Sequence, residues 1–140
     1  MKKVLHIEDS VYWQKKVESA LALSLGVELM VPIGDMTSFR EREYPFAHLY
    51  ICDRHLPLRV NNSPDDTSWR QILEVIRTLY PDAKCLFLAQ NPPANWRNYG
   101  NVVCVIRKEC FEVGKFRSTV ESILDLNVGT ERGVTPYVFR

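Results

Sequence analysis

Short apolar runs alternate along the chain with segments in which apolar residues recur at helical spacing. The runs occupy residues 4–7, 27–33, 48–52, 85–89 and 102–106. They are apolar throughout rather than alternating, which is typical of strands in a parallel sheet that is covered on both faces. The pattern therefore predicts an α/β domain with five parallel strands and helices on both sides of the sheet.

The helical segments between these runs carry recognisable ends. Ser10 is the predicted N-cap of the first helix, and Gly26 is a predicted stop after it. The segment Ser68–Gln71 fits a capping box and predicts the start of a strongly amphipathic helix. Weaker patterns predict a modest helix over residues 38–43 and a last helix over residues 116–124.

Length and charge narrow the class of protein. The 140 residues correspond to about one domain, and the periodic pattern is lost beyond residue 126. We therefore predict one domain over residues 1–126 and a C-terminal tail over residues 127–140. The formal net charge of +1 supplies no electrostatic footprint for nucleic acid or a membrane surface, and no apolar run approaches the ~20 residues that cross a bilayer. We expect no nucleic-acid or membrane partner and a cytoplasmic location.

Four cysteines raise the alternatives of disulfides or a metal site. Cys52, Cys85 and Cys104 each lie inside an apolar run, and no pair has C-x-x-C spacing. Cys104 and Cys110 are isolated from the three histidines, so they do not form a zinc set. We interpret the three cysteines within the runs as buried free thiols that pack as small hydrophobic residues.

Acidic residues follow the predicted strands. Glu8 and Asp9 come directly after the first run, Asp53 follows the third, and Lys108 follows the fifth. Ligands of open α/β sheets bind beyond the carboxyl ends of the strands, where these side chains are expected to converge. Three carboxylates repel one another unless a cation lies among them, and oxygen ligands favour a hard cation such as Mg²⁺. A carboxylate beside Mg²⁺ and a lysine can act as a nucleophile toward a phosphoryl group.

The chain resembles the receiver domain of two-component response regulators over residues 2 to about 126. The similarity rests on Val-Leu-His-Ile-Glu-Asp-Ser at 4–10, Tyr-Ile-Cys-Asp-Arg-His-Leu-Pro at 50–57 and Ile-Arg-Lys at 106–108. This resemblance implies a single-domain flavodoxin-like (CheY-like) fold with strand order 2-1-3-4-5. It also implies that Asp53 is the phosphoacceptor, that Glu8, Asp9 and Asp53 hold Mg²⁺, and that Lys108 contacts the phosphoryl group.

The sequence departs from the receiver pattern at the positions that normally relay phosphorylation. Ala89 stands where receivers usually carry Ser or Thr, Val105 replaces an aromatic residue, and Glu109 replaces the proline after the lysine. The loop over residues 60–66 is longer than usual. The segment 91–100 contains two prolines and is a poor site for a full fourth helix.

Each acidic or histidine position has a simpler interpretation as well. Asp53 could cap a turn at a strand end, and Glu8 and Asp9 could favour the dipole of the helix that follows. His55 and Asn91 occupy positions at which receivers vary a side chain that tunes hydrolysis of phosphoaspartate, but a plain loop role fits them equally. His6 and His48 lie within strand runs and are expected in the core or at an edge.

The main prediction is a stand-alone response regulator receiver in a phosphorelay, not an enzyme. The tail is too short for a DNA-binding output domain, so we expect output through protein contacts. A sensor histidine kinase or phosphotransfer protein is expected upstream, and a protein partner or a second copy downstream. The alternative is a pseudo-receiver that serves as an interaction or dimerisation module without phosphorylation. A Mg²⁺-dependent phosphohydrolase is disfavoured because His55 lies where such enzymes carry a second acid.

Overall fold

The computed structural model of the protein describes residues 1–57, 64–65, 67–126 and 137. Its strands are β1 (Lys2–Ile7), β2 (Val27–Leu29), β3 (Leu49–Cys52), β4 (Leu56–Pro57), β5 (Pro64–Asp65), β6 (Lys84–Ala89) and β7 (Val102–Arg107). Its helices are α1 (Val11–Leu21), α2 (Met36–Glu41), α3 (Ser68–Leu79) and α4 (Val113–Ile123), with 3₁₀ turns at Trp96–Asn98 and Lys108–Cys110.

Five strands form one parallel sheet in the order β2-β1-β3-β6-β7. The strands β6 and β7 are the fourth and fifth of the predicted runs, so this is the predicted order 2-1-3-4-5. The short strands β4 and β5 pair separately and antiparallel. The predicted flavodoxin-like fold is confirmed.

The sheet is buried on both faces, as its uninterrupted apolar strands predict. All four residues of β3 are buried, and successive side chains enter opposite cores. One core contains the apolar faces of α2 and α3, around Tyr50, Trp69 and Phe87. The other contains those of α1 and α4, around Ile51 and Phe116. Cys52, Cys85 and Cys104 are buried free thiols within these cores, as predicted.

The first helix begins as its sequence indicates, but the third does not. Ser10 is the N-cap of α1, and its hydroxyl accepts a hydrogen bond from the backbone N–H of Trp13. The predicted capping box over Ser68–Gln71 is wrong, because Ser68 is already helical and Thr67 is the N-cap. The backbone N–H of Gln71 donates to the Thr67 carbonyl oxygen, while the Ser68 side chain is buried beneath the helix start.

The second strand is shorter than its apolar run predicts. Regular pairing ends at Leu29, and only an isolated bridge between Ile7 and Ile33 continues it. Pro32 explains the interruption, because a proline has no N–H to offer the ladder. The bridge nevertheless carries the segment along β1 to the point where the acidic residues begin.

The connection between β6 and β7 contains no full helix, in agreement with its two prolines. A 3₁₀ turn at Trp96–Asn98 takes that place, and Trp96 and Tyr99 pack against the core that contains Trp69. The predicted long loop over 60–66 lies outside the described residues, apart from the backbone of Pro64–Asp65. The predicted tail over 127–140 also lies outside them, except for Tyr137.

Candidate functional site

The sheet brings the three predicted acidic residues together. Strands β1 and β3 are neighbours with Ile7 opposite Cys52, so the residues that follow them share the carboxyl edge of the sheet. Carboxylate oxygens of Glu8, Asp9 and Asp53 all lie within 4.8 Å of one another. Glu8 and Asp53 are buried, whereas Asp9 is exposed to solvent.

Lys108 completes this cluster, which we call the acid pocket: Glu8, Asp9, Asp53 and Lys108. The lysine begins the 3₁₀ turn after β7 and extends back over the edge of the sheet. Its Nζ lies 2.5 Å from Glu8 Oε1 and 3.5 Å from Asp53 Oδ2. Its side chain is only 13% exposed, so this ammonium is held inside the pocket rather than in water.

One ammonium does not balance the buried carboxylates. Burial raises the pKa of Glu8 to about 8, and the nearby negative charge of Asp53 adds to this rise, against the opposing effect of Lys108. A carboxyl group behaves in this way when its charged form lacks sufficient compensation. The pocket therefore has unmet demand for positive charge.

The donor set fits a hard divalent cation. Three carboxylates converge from two adjacent strand ends, and Asp9 opens the cluster to solvent, from which an ion can enter. Mg²⁺ prefers oxygen ligands and is usually bound by one or two carboxylates together with water. A bound cation would favour the charged form of the Glu8 carboxyl group and so oppose the rise in its pKa.

Local backbone contacts fix the acidic side chains. The backbone N–H of Ser10 donates to Glu8 Oε2 at 3.3 Å, and the backbone N–H of Arg54 donates to Asp53 Oδ1 at 2.8 Å. The Gln14 side-chain amide holds the backbone of Glu8, donating to its carbonyl oxygen at 2.6 Å. A Cβ atom at Gly34 would lie 3.5 Å from the Asp9 Cα atom, so the backbone of residue 34 closely borders the pocket. The acids are thus held by neighbouring segments before any ligand binds.

Trp13 is a site residue that the sequence patterns did not single out. Lys108 Nζ lies over the Trp13 ring, 5.2 Å from its centroid, which is a cation–π distance. The signal was present in the sequence as an aromatic residue four positions after Asp9. A helical periodicity argument cannot distinguish such a residue from one that only fills the core.

The relay positions lie in an apolar environment. Ala89 is fully buried at the end of β6, and Val105 packs partly buried against the core. The guanidinium of Arg54 spans this side, with one nitrogen donating to the Asn91 carbonyl oxygen at 3.0 Å. Asn91 therefore contributes a backbone carbonyl group that anchors the segment after Asp53.

The histidines fall outside the acid pocket. His55 lies in the turn between β3 and β4 and is not part of the acidic cluster. His6 is buried in β1, as expected for a core residue, and His48 accepts a hydrogen bond through Nδ1 from the backbone N–H of Lys3 at 2.9 Å.

None of the helices in the described residues has the length and apolar composition of a membrane-spanning segment.

Sequence comparison and structural comparison differ sharply for this chain. No protein-family model matches the sequence, and no curated protein matches it either. A signal receiver domain of a two-component histidine kinase from Clostridium thermocellum is structurally similar, with a TM-score of 0.69 at 15% identity, over 88% of this chain and 97% of that one. The beryllofluoride-activated receiver domain of DrrB from Thermotoga maritima gives 0.66 at 19% identity, over 89% and 98%.

A third similar structure is the RcsB response regulator of Salmonella typhimurium, with a TM-score of 0.65 at 13% identity. The similarity covers 94% of this chain and 62% of RcsB, so the chain spans less than two thirds of that relative. The fold is shared with these three structures over 88–94% of this chain. This chain therefore adopts the fold of response regulator receiver domains.

Proposed function

We propose that this protein is a receiver in two-component phosphorelay signalling and that Asp53 is its phosphoacceptor. The observation that carries the proposal is the convergence of Asp53 with Glu8, Asp9 and Lys108 at the carboxyl edge of a receiver-type sheet. The Asp53 carboxylate is buried to 4% exposure beside an ammonium, where charge on an incoming phosphoryl group would be stabilised.

The chemistry assigned to this chain is a single phosphoryl transfer. An Asp53 oxygen forms a bond to phosphorus as the bond from phosphorus to a donor histidine nitrogen, or to the oxygen of a small phosphodonor, breaks. The leaving group takes the electron pair of that bond. Lys108, now 3.5 Å from Asp53 Oδ2, is placed to pair with the transferring oxygens. The backbone N–H of Arg54 keeps Asp53 oriented.

Glu8, Asp9 and Asp53 are the residues that would hold Mg²⁺. When bound, the ion would neutralise charge on the transferring oxygens and between the carboxylates. Thermal unfolding with and without Mg²⁺ tests this part, because a ligand that binds only the native state raises stability. We expect a Mg²⁺-dependent rise in Tm for the wild type and a smaller one for Asp9→Asn. Equal shifts in both proteins would contradict the assignment.

The partners follow from the proposed chemistry. A sensor histidine kinase or a phosphotransfer protein would supply the phosphoryl group, and a downstream protein or a second copy of the chain would receive the signal. We expect these contacts in the cytoplasm and expect no catalytic turnover. Steady hydrolysis of a small phosphate ester in the presence of Mg²⁺ would instead indicate a phosphohydrolase.

Mass spectrometry after incubation with a small phosphodonor and Mg²⁺ tests the central claim. We expect the wild type to gain the mass of one phosphoryl group and Asp53→Asn to gain none. Asp35→Asn is the matched control, because Asp35 is also a buried aspartate but caps α2, where its side chain accepts from Ser38. Labelling of the control must equal that of the wild type.

A second candidate, the pseudo-receiver, is favoured by one specific observation. Ala89 and Val105 cannot supply the hydroxyl and aromatic ring through which receivers usually respond, and both lie packed in the fold. In that case the protein would bind its partner through a pre-formed surface. A wild type that gains no phosphate from small donors or from a panel of kinases, while its partner binds Asp53→Asn equally well, would establish this alternative.

A further inference from the structure

Tyr137 contacts the segment that carries Lys108. Its hydroxyl donates to the Cys110 carbonyl oxygen at 2.5 Å and accepts from the backbone N–H of Glu112 at 2.8 Å. Its own backbone N–H donates to Thr119 Oγ1 on α4 at 2.7 Å. The Tyr137 side chain thus joins the 3₁₀ turn after β7 to the start of α4, and the Tyr137 backbone is tied to the middle of that helix.

The two hydrogen bonds of the hydroxyl lie on either side of Phe111. The Phe111 ring packs edge to face against Trp13, with centroids 5.5 Å apart. It also packs against Phe116 in a tilted arrangement, with centroids 5.0 Å apart. Trp13 in turn presents its ring to Lys108 Nζ. A continuous set of contacts therefore runs from Tyr137 through Phe111 and Trp13 to the ammonium of the acid pocket.

We propose that Tyr137 is a positioning residue that holds Lys108 in the acid pocket. It does so by fixing the Cys110–Glu112 backbone, and with it the Phe111 ring against Trp13. The consequence for phosphoryl transfer rests on the function proposed above. The effect of the Tyr137 hydroxyl on the environment of Lys108 does not depend on that function.

The local structure shows why such a clamp is needed. Lys108 belongs to a three-residue 3₁₀ turn, a short element with poor hydrogen-bond geometry. The N-cap of α4 is Glu112, whose side chain makes no capping hydrogen bond. The Tyr137 hydroxyl oxygen accepts from the backbone N–H of Glu112 at the helix start, and the hydroxyl donates to the carbonyl oxygen of Cys110 at the end of the turn. Backbone groups at helix ends otherwise have no partner within the helix.

Linkage makes the contact reciprocal. Suppose that the hydrogen bonds of the Tyr137 hydroxyl favour one position of the Lys108 ammonium. A ligand that draws this ammonium toward Asp53 must then change the free energy of the Tyr137 hydrogen bonds by the same amount. The proposed route contains neither Ala89 nor Val105. It would therefore connect the acid pocket to the C-terminal segment independently of the usual receiver relay.

Tyr137→Phe tests the proposal in the full chain, because it keeps the ring and removes only the hydroxyl. We expect phosphorylation by a small donor to slow by about threefold to tenfold, which lies in the lower part of the range of coupling between contacting residues. The Mg²⁺-dependent rise in Tm should stay the same, since the acids proposed to bind the metal directly follow β1 and β3, whereas Tyr137 hydrogen-bonds to the segment after β7 and to α4. Tyr99→Phe is the matched control, because Tyr99 packs against Trp69 far from α4, and it should leave the rate unchanged.

A double-mutant cycle separates positioning from general destabilisation. If Tyr137 acts through Lys108, Tyr137→Phe should have no further effect in a Lys108→Ala background. An equal slowing in both backgrounds would show a merely structural role and overturn the proposal.

A spectroscopic readout keeps the proposal testable even if the proposed function fails. In NMR spectra of the metal-free protein, Tyr137→Phe should shift the indole signal of Trp13 and the side-chain signal of Lys108. The indole signals of Trp69 and Trp96 should remain in place. Unchanged Trp13 and Lys108 signals would overturn the inference. Shifted signals in a protein that accepts no phosphoryl group would support the positioning role while refuting the phosphoacceptor assignment.

Discussion

The two halves of the sheet's carboxyl edge differ in residue type: one carries acidic side chains, and the other carries apolar and aromatic side chains. Beyond β1 and β3 lie buried carboxylates with a single ammonium, and the pKa of Glu8 rises to about 8. On the β6 side, Ala89 is buried at the end of the strand, and a 3₁₀ turn follows. Trp69 of α3 packs edge to face against Phe87 of β6 and against Tyr99, which follows that turn. We refer to these regions as the acid half and the apolar half.

The apolar half stabilises the fold, whereas the acid half carries the charged groups proposed for phosphoryl transfer. Burial of apolar and aromatic surface stabilises the apolar half. In the acid half, buried carboxylates repel one another and lower the stability of the protein as long as no cation is bound. Substitutions in the apolar half should therefore destabilise the protein, whereas charge removal in the acid half should not.

Trp69→Ala should have the largest effect, because Trp69 is the largest fully buried side chain. We expect the free energy of unfolding to fall by about 3–5 kcal/mol, the usual cost of truncating a buried aromatic residue. Denaturant unfolding measures this loss. Trp96→Ala is the control and should cost clearly less, since Trp96 is only half-buried. Equal costs would show that the apolar half is not organised around Trp69.

His6 should make the protein acid-sensitive beneath the acid half. It is buried without a hydrogen-bond partner in the described part of the chain, and burial, with a smaller effect of the Lys108 charge, lowers its pKa from 6.5 to about 3. Between these two pKa values, His6 is protonated in the unfolded chain but neutral in the folded protein. The stability that depends on neutral His6 is therefore fully present above pH 6.5 and decreases as the pH falls toward 3.

At pH 5 this linkage corresponds to about 2 kcal/mol. Comparison of urea unfolding at pH 7 and pH 5 for the wild type and His6→Leu isolates the contribution of His6. From pH 7 to pH 5, the change in the free energy of unfolding should be about 2 kcal/mol more favourable for the variant than for the wild type. Glu8 acts in the opposite direction, because its raised pKa makes stability fall as the pH rises from 4.5 to about 8. That contribution is common to both proteins and cancels.

Ala89→Ser would introduce a polar group into the apolar half. The hydroxyl would be buried at a fully enclosed position, and we expect it to lower the free energy of unfolding by about 1–2 kcal/mol without a ligand. The same hydroxyl should strengthen the response to beryllofluoride, seen as larger amide protection changes over residues 90–112. Ala83→Ser, at another buried alanine away from the pocket, should show only the destabilisation.

Asp53→Asn should have the smallest effect on stability, and its sign should be opposite. Removing this charge relieves its repulsion of Glu8, so the metal-free variant should be more stable by about 1 kcal/mol. The pKa of Glu8 should fall at the same time, which NMR titration can follow. With saturating Mg²⁺ the advantage should disappear, because the ion stabilises the wild type more. A less stable variant in metal-free buffer would contradict the charge balance assigned to the acid half.

Sequence patterns predicted the fold because the uniform apolar strands leave few arrangements other than a covered parallel sheet. The acid pocket was also predictable, since Glu8, Asp9 and Asp53 follow strands whose carboxyl ends share one edge. The absence of a full helix between β6 and β7 followed from the two prolines in that segment. These features depend on local chemistry or on topology, and both are visible in a single sequence.

What the sequence did not predict depends on contacts between distant segments. Trp13 meets Lys108 only after α1 and the turn following β7 pack together. Tyr137 lies in the segment that we predicted to be a tail without pattern, yet it hydrogen-bonds to α4. The capping box failed because burial of Trp69 and Ser68 placed the helix start one residue earlier than side-chain preferences indicate.

The missing helix between β6 and β7 also affects how the protein folds. Only residues 90–101 join these parallel strands, compared with residues 53–83 between β3 and β6. Closing the shorter loop costs about 0.8 kcal/mol less entropy, by the logarithmic dependence of loop closure on length. The β6–β7 pair is therefore the part of the sheet expected to form earliest, and substitutions there should slow folding more than they speed unfolding.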